Sequence, residues 1–230
     1  MPSPTRSLPQ VARELFAPIA PGYERWARLL SMGQDPRWRR AMVAGLDLSA
    51  GAKVVDVAAG TGSITRLLEA REVEVVSVDQ SEAMLATAVK GGATAVVSTA
   101  ERLPFPNEVF DGVTFGYLLR YVDSVGGCLE ELARVVRPGG VVGMVEFGRP
   151  AGVWAPAWWA YTRVVLPLAG AVIRSGWWEV GRFLGPSIDR FANTHPPAVL
   201  EAEWRAAGFE DVRVSRMSLG GGLVMWGRKA

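Results

Sequence analysis

KVVDVAAGTG, residues 53–62, is the stretch that sets the expected fold. Residues 53–58 form a short apolar run and predict a strand buried on both faces, because no polar residue alternates with the apolar ones except Asp56. Gly60, Thr61 and Gly62 follow at once, and a helical stretch then runs to about residue 71. Small residues at such a turn permit unusual backbone dihedrals and let a ligand approach the main chain closely. The helix that opens after them offers unpaired N–H groups to that ligand.

Downstream the same alternation repeats. Residues 74–78 are a second apolar run ending in Asp79, and Ser81 is a good N-cap for a helix through Val89. Residues 93–98 and 112–117 are further strands. A helix over 124–136 is expected to stop at Arg137-Pro138-Gly139-Gly140, before a strand over 141–147. Alternating strands and helices imply parallel pairing with right-handed crossovers. A helix over 197–207 and a strand pair, 212–217 and 223–226, close the chain. The expected class is therefore α/β and Rossmann-like: a mostly parallel seven-stranded sheet, helices on both faces, and a C-terminal antiparallel strand.

Upstream, residues 9–46 read as helical with a break at Pro18 and Pro21, and a second helix starts at Asp35 as N-cap with Pro36 as its first residue. A single domain over 1–230 is expected, in four parts: helices over the site (1–50), a cofactor-binding core (51–150), a helical substrate cover (151–195) and a closing helix and strand pair (196–230).

Bulk properties narrow the function. With 49% hydrophobic and 21% charged residues the chain can build a full core, and a net charge of +2 without a basic run argues against nucleic acid as partner. The single cysteine, Cys128, excludes an internal disulfide and a multi-cysteine metal site, and its apolar helical setting predicts burial. MPSPTRSLPQ has no apolar core of the signal-peptide kind, so a cytoplasmic location is expected. Of nine tryptophans, five lie from Trp154 to Trp178. Arg163 and Arg174 leave only ten residues between them there, broken by Pro167, too few for a spanning helix. The segment reads as helical cover over an apolar ligand pocket, with contact to a membrane surface as a further expectation and core packing as the plain alternative.

The candidate cofactor site rests on two carboxylates. Asp79 follows Asp56 by 79 − 56 = 23 residues, close to the ~20 expected for a ribose-binding carboxylate beyond a glycine loop. The loop itself reads A-A-G-T-G-S and lacks the third glycine of a dinucleotide fingerprint. Asp56 before the loop suits the amino end of an amino-acid moiety and would repel a pyrophosphate. A methionine-derived cofactor, S-adenosylmethionine, is therefore expected over a dinucleotide.

Several stretches together are similar to the ubiquinone/menaquinone biosynthesis C-methyltransferases, a class I S-adenosylmethionine-dependent family. They are LSMGQDPRWRRAM (30–42), VVDVAAGTG (54–62), SVDQSEAML (77–85), LPFPNEVFDGVTFGYLLRYV (103–122), RVVRPGGVVGMVEFGRP (134–150), SIDRF (187–191) and AGFEDVRV (207–214). The resemblance implies that Gly60, Thr61 and Gly62 form the cofactor loop and that Asp79 holds the ribose. Thr99 and Ala100 would border the adenine, and Gly116 would lie under the cofactor at the end of the fourth strand. Ala58 and Gln80 complete that set. The sequence departs from the pattern at Thr99, often an aspartate or asparagine, and at Gly116, commonly a serine. The L-R-N-V element reads Leu119-Arg120-Tyr121-Val122, and the Y-D-x-x-N segment reads Tyr23-Glu24-Arg25-Trp26-Ala27.

Methyl transfer to a hydroquinone carbon needs a stabilised phenolate. Arg120 is the candidate for holding that oxyanion or a proton-accepting water, and Tyr23 and Tyr121 are candidates for orienting the ring. A structural ion pair is the alternative for Arg120. His195, the only histidine, reads as a loop residue before a helix rather than a base. The acceptor is expected to be small, aromatic and apolar: a demethylmenaquinol-like prenylated hydroquinone, or else another aromatic or polyketide-type compound. A silent cofactor- or partner-binding module is the alternative of a different class, and no metal is expected. A homodimer is compatible with all of these.

Overall fold

The computed structural model describes residues 7–230; Met1–Arg6, the first part of the stretch read as lacking a leader, lie outside them. In chain order the elements are α1 (Leu8–Phe16), α2 (Tyr23–Leu30), α3 (Gln34–Ala44), β1 (Lys53–Val57), α4 (Ser63–Glu69), β2 (Glu74–Asp79), α5 (Glu82–Lys90), β3 (Thr94–Val97), β4 (Phe110–Gly116) and α6 (Val125–Val135). Then come β5 (Val136–Phe147), α7 (Ala155–Ala160), α8 (Leu166–Ile173), α9 (Trp177–Thr194), α10 (Pro197–Ala206), β6 (Phe209–Met217) and β7 (Gly222–Lys229). A π-helical turn, Tyr161–Val165, joins α7 to α8.

The strands form one seven-stranded sheet in the order β3-β2-β1-β4-β5-β7-β6. All pairs from β3 to β5 are parallel, and β7 inserts antiparallel between β5 and β6. The chain moves outward one way from β1 and the other way from β4, so a crevice opens beyond the carboxyl ends of these two neighbours.

The residues of β1 show how the sheet is covered. Val55 and Val57 pack with Leu129, Leu132 and Trp204 of α6 and α10. Val54 packs on the opposite face with Met42, Ile64 and Leu68 of α3 and α4. All nine side chains are at most 2% exposed. Each such aliphatic side chain contributes about 1.5–3 kcal/mol relative to exposure. A third, smaller cluster of Ile19, Trp177 and Val180 ties the N-terminal helices to α9.

Three boundaries differ from the sequence expectation. Gly33, in the left-handed region, caps α3, so Asp35 lies inside the first turn rather than at the N-cap. The helix ending before the Arg137-Pro138-Gly139-Gly140 run stops at Val135, and that run is not a separating turn. It belongs to β5, where a register irregularity against β4 absorbs it. Gly139 takes φ +77° there, which glycine tolerates without steric cost. The closing strands start earlier: at Phe209, which is buried against Trp204, and at Gly222, which pairs with Met217.

Candidate active site

Two cavities meet at the crevice. The first lies over the carboxyl ends of β1, β2 and β4 and is covered by α1, which contributes Pro9, Ala12, Arg13 and Phe16. Its space, with the open mouth included, measures about 920 Å³. Ala58, Gly60, Thr61, Asp79, Gln80, Thr99, Ala100 and Gly116 all line it.

The loop geometry follows from its residues. Ala58 and Gly60 both have positive φ, +54° and +57°, which turns their main chain toward the cavity. The Gly60 amide donates to Asp79 Oδ2 at 2.8 Å, and the Ser81 amide donates to Oδ1 at 2.8 Å. Burial raises the Asp79 carboxyl above its ordinary value, against these bonds. Thr61 Oγ1 and Ser63 Oγ both donate to Glu24 Oε1, and Arg66 pairs with the same oxygen, so α2 is fastened to the loop. Gln80 Nε2 donates to the Pro9 carbonyl at 2.9 Å and holds α1 in place.

Two sequence-derived cofactor residues do not face this cavity. Asp56 is fully buried below the loop and points to the α4 face, accepting from Thr65 Oγ1 at 2.8 Å and Thr114 Oγ1 at 2.9 Å. Burial pushes its carboxyl up to about 6, and the two hydroxyls oppose that shift. Its place on the strand, two residues from Val54, aims it away from the crevice. Gly62 caps α4 at φ +81°, and a Cβ there would lie 3.1 Å from Ala88 Cβ. Its part is close packing of α4 on α5.

The second cavity is apolar and lies under the tryptophan-rich cover. It is bounded by Leu30 of α2, Phe147 of β5, Trp158 and Tyr161 of the α7 run, and Trp177 and Ile188 of α9. Phe16, Tyr23, Tyr117 and Tyr121 line both cavities and so form the boundary between them. Tyr23 stacks on Trp177 at 6.0 Å between centroids, and Phe16 meets Tyr121 edge-on at 5.6 Å. Burial pushes the Tyr23 phenol up to about 12.

Charged groups are sparse here and all are held. Arg120 Nε donates to Glu146 Oε1 at 2.8 Å, and Nη1 donates to Ser187 Oγ at 2.9 Å. Both side chains of this ion pair are at most 2% exposed. The ion pair named as the alternative for Arg120 is present, and its guanidinium lies over the Tyr121 ring at 4.8 Å. Tyr121 Oη and Glu146 Oε2 are buried without a hydrogen-bond partner.

Composition and spacing had not singled out a second polar cluster. Tyr117 Oη donates to Asp35 Oδ1 at 2.6 Å, and Arg39 Nε donates to the same oxygen at 2.8 Å. Arg39 and Tyr117 both line the first cavity. Arg39 Nη1 reaches toward Gly116, whose added Cβ would sit 3.6 Å from it. Tyr117 takes φ +57° directly after β4, a strained setting for a tyrosine that turns its ring into the crevice. The i,i+4 spacing of Asp35 and Arg39 was visible in sequence, but not its position against the strand ends.

His195 caps α9 and pairs with Thr194 and Glu203, and it lines neither cavity. Cys128 is buried in α6. Among the described residues no cluster of metal-ligating side chains occurs, and no helix is long and apolar enough to cross a membrane.

The sheet order, the loop after β1, the carboxylate ending β2 and the cavity at the switch point are those of the class I methyltransferase fold. A solved S-adenosylmethionine-dependent methyltransferase from Thermotoga maritima superposes with a TM-score of 0.68 at 21% identity, over 95% of this chain and 99% of that one. Haemonchus contortus phosphoethanolamine N-methyltransferase 2, solved with S-adenosyl-L-methionine, gives 0.60 at 14% identity, over 83% and 52%. The chain belongs to the ubiE/COQ5 methyltransferase family, whose model matches residues 5–229. It is 34% identical to the ubiquinone/menaquinone biosynthesis C-methyltransferase of Desulfotalea psychrophila, over 94% of this chain and 89% of that protein. It is also 34% identical to the demethylmenaquinone methyltransferase of Symbiobacterium thermophilum, over 99% and 96%.

Proposed function

We propose that the chain transfers the methyl group of S-adenosylmethionine to a ring carbon of a demethylmenaquinol-like, prenylated hydroquinone. The observation that carries this is the pair of cavities, one holding the Gly60 loop, Asp79 and Arg39 and the other almost wholly apolar, joined at Phe16, Tyr23, Tyr117 and Tyr121. A cofactor in the first cavity and an aromatic acceptor in the second would meet at that boundary.

The residues of the first cavity fit the cofactor. Asp79 has lone pairs left after its two main-chain bonds and would accept from the ribose hydroxyls. Thr99 and Ala100 would border the adenine, with Ala58, Gly60, Thr61, Gln80 and Gly116 along the rest of the cavity. Arg39, whose charge reaches this cavity, would hold the carboxylate of the methionine end. The bound cofactor supplies an electrophilic sulfonium methyl.

In the second cavity Arg120 places a fixed positive charge where an acceptor oxygen can lie, with Glu146 and Ser187 fixing the guanidinium. A phenolate there, its proton passed to water, would be stabilised without reorganisation, which raises the nucleophilicity of the adjacent ring carbon; that carbon takes the methyl as S-adenosylhomocysteine leaves and then gives its own proton to water. Tyr121 Oη, buried at the boundary of the two cavities, would pair with the acceptor's hydroxyl, and Tyr23 would confine its ring. Closure by α1 and the α7 run would exclude water from the transfer.

A prenyl tail partitions into lipid, so a cytoplasmic enzyme with peripheral membrane contact follows, and light scattering would show whether it dimerises. Turnover with isotopically labelled cofactor and reduced naphthohydroquinones, with and without a prenyl tail, tests the acceptor. Methylation of tail-less aromatics alone would favour a different aromatic acceptor. Cofactor binding with no turnover on any acceptor would favour a silent module.

A further inference from the structure

The helical cover of the acceptor cavity is apolar on both of its sides. Residues 155–173 run continuously through α7, the π-helical turn and α8. Trp158, Tyr161 and Leu166 face the cavity. On the outside Trp159 is 60% exposed, Leu168 58% and Val172 83%, and Val165 is exposed between them. A helix on the surface of a protein in water turns its charged face outward. Here the outward stripe at 165, 168 and 172 is aliphatic, spaced three and four residues apart. Leu29 and Met32, at the end of α2 and just after it, are exposed as well. Exposed apolar surface of this extent marks a contact with something apolar.

Charge separates the occupants. From Gly148 to Trp178 the chain has three arginines and no aspartate or glutamate. Asp189 of α9 offsets Arg163, while Arg149 and Arg174 remain at the two ends. A second copy on the same face would bring like charges together across a two-fold axis. Anionic lipid headgroups are attracted to them instead, and tryptophans such as Trp154 and Trp159 suit the bilayer interface.

The geometry points to the outer face of the α7–α8 run as a lipid-contact surface that rests on an anionic bilayer and sets the acceptor cavity beside the lipid. The proposal depends on the lipid-tailed acceptor for its purpose, but not for its test. Flotation with phosphatidylcholine vesicles, with and without phosphatidylglycerol, reads binding directly. The protein floats with the anionic vesicles and less with neutral ones. Leu168→Gln/Val172→Gln, two side chains outside both cavities, weakens partitioning at least about tenfold and leaves S-adenosylhomocysteine affinity unchanged. Arg174→Glu removes most of the preference for anionic vesicles. The proposal is overturned if the wild type stays with the pellet, or if Leu168→Gln/Val172→Gln floats as well as wild type. It is equally overturned if lipid-free protein is a dimer that this double variant splits. Flotation with no turnover of prenylated hydroquinones removes the acceptor reading and leaves the lipid surface standing.

Discussion

The Gly60 amide donates to Asp79 Oδ2 at 2.8 Å, so the carboxylate that ends one strand also holds the loop that ends its neighbour. Any ligand that binds this carboxylate therefore meets a loop already in position. Asp79→Asn keeps an oxygen for one of the two main-chain bonds but loses the charge. Hydrogen bonds to charged groups contribute about 1.5–3 kcal/mol each. Calorimetric titration with S-adenosylhomocysteine should show affinity about tenfold to a hundredfold lower. An unchanged Kd would place the ribose elsewhere.

Asp56 should affect stability more than binding. Its folded pKa of about 6 lies above the ordinary 3.8, so the folded state holds a proton that the unfolded state has released between these values. Stability therefore falls as pH rises from about 4 to about 6, by a few kcal/mol at most. Asp56→Asn lacks this penalty, and each Thr hydroxyl can reorient to meet the amide. Denaturant midpoints across that window should be flatter for the variant than for wild type. Cofactor affinity should stay within a few-fold of wild type, and a loss as large as that of Asp79→Asn would put Asp56 in the cofactor site after all.

Arg120 and Glu146 can be separated into stability and activity. Arg120→Met leaves a buried carboxyl without its partner, and removing one member of such a pair costs about 3–5 kcal/mol. Arg120→Met/Glu146→Leu removes both and should recover most of that loss in thermal or denaturant unfolding. It should still lack methyl transfer while binding the cofactor normally. Recovered turnover in the double variant would reduce Arg120 to a structural ion.

Arg39 makes a discriminating case because its proposed contact is to one end of the cofactor. Arg39→Gln should weaken S-adenosylhomocysteine by about tenfold or more, as expected for losing a charge-assisted bond. Methylthioadenosine, which has no carboxylate, should bind wild type and variant alike. Equal losses for both ligands would mean that Arg39 only supports Tyr117 and Asp35.

The parts of the fold that follow from local pattern were legible in sequence. The run 53–62, Asp79 and the Ser81 cap carry their own signals: a strand apolar but for Lys53 and Asp56, small residues at a turn, and a side chain that meets Met84 N. What was not legible depends on where distant segments meet. Asp56 looked like a ligand residue because it precedes the loop, but strand alternation turns it to the α4 face, where Thr65 and Thr114 wait. Arg39 and Tyr117 are 78 residues apart (117 − 39) and share Asp35 only because α3 crosses the end of β4. The partner of Arg120 could not be named in advance, since Glu146 ends a different strand. The Arg137–Gly140 run looked like a break because proline and glycine punctuate most chains, and here a bulged strand start absorbs it.

The most direct test of the whole account is single-turnover methyl transfer from labelled S-adenosylmethionine to a reduced, prenylated demethylnaphthoquinol, with the product located by NMR. The label should appear on the ring carbon next to a hydroxyl, with one equivalent of S-adenosylhomocysteine formed, and should vanish in the Arg120→Met/Glu146→Leu variant. Label on oxygen, or none on the quinol while the cofactor binds, would contradict it.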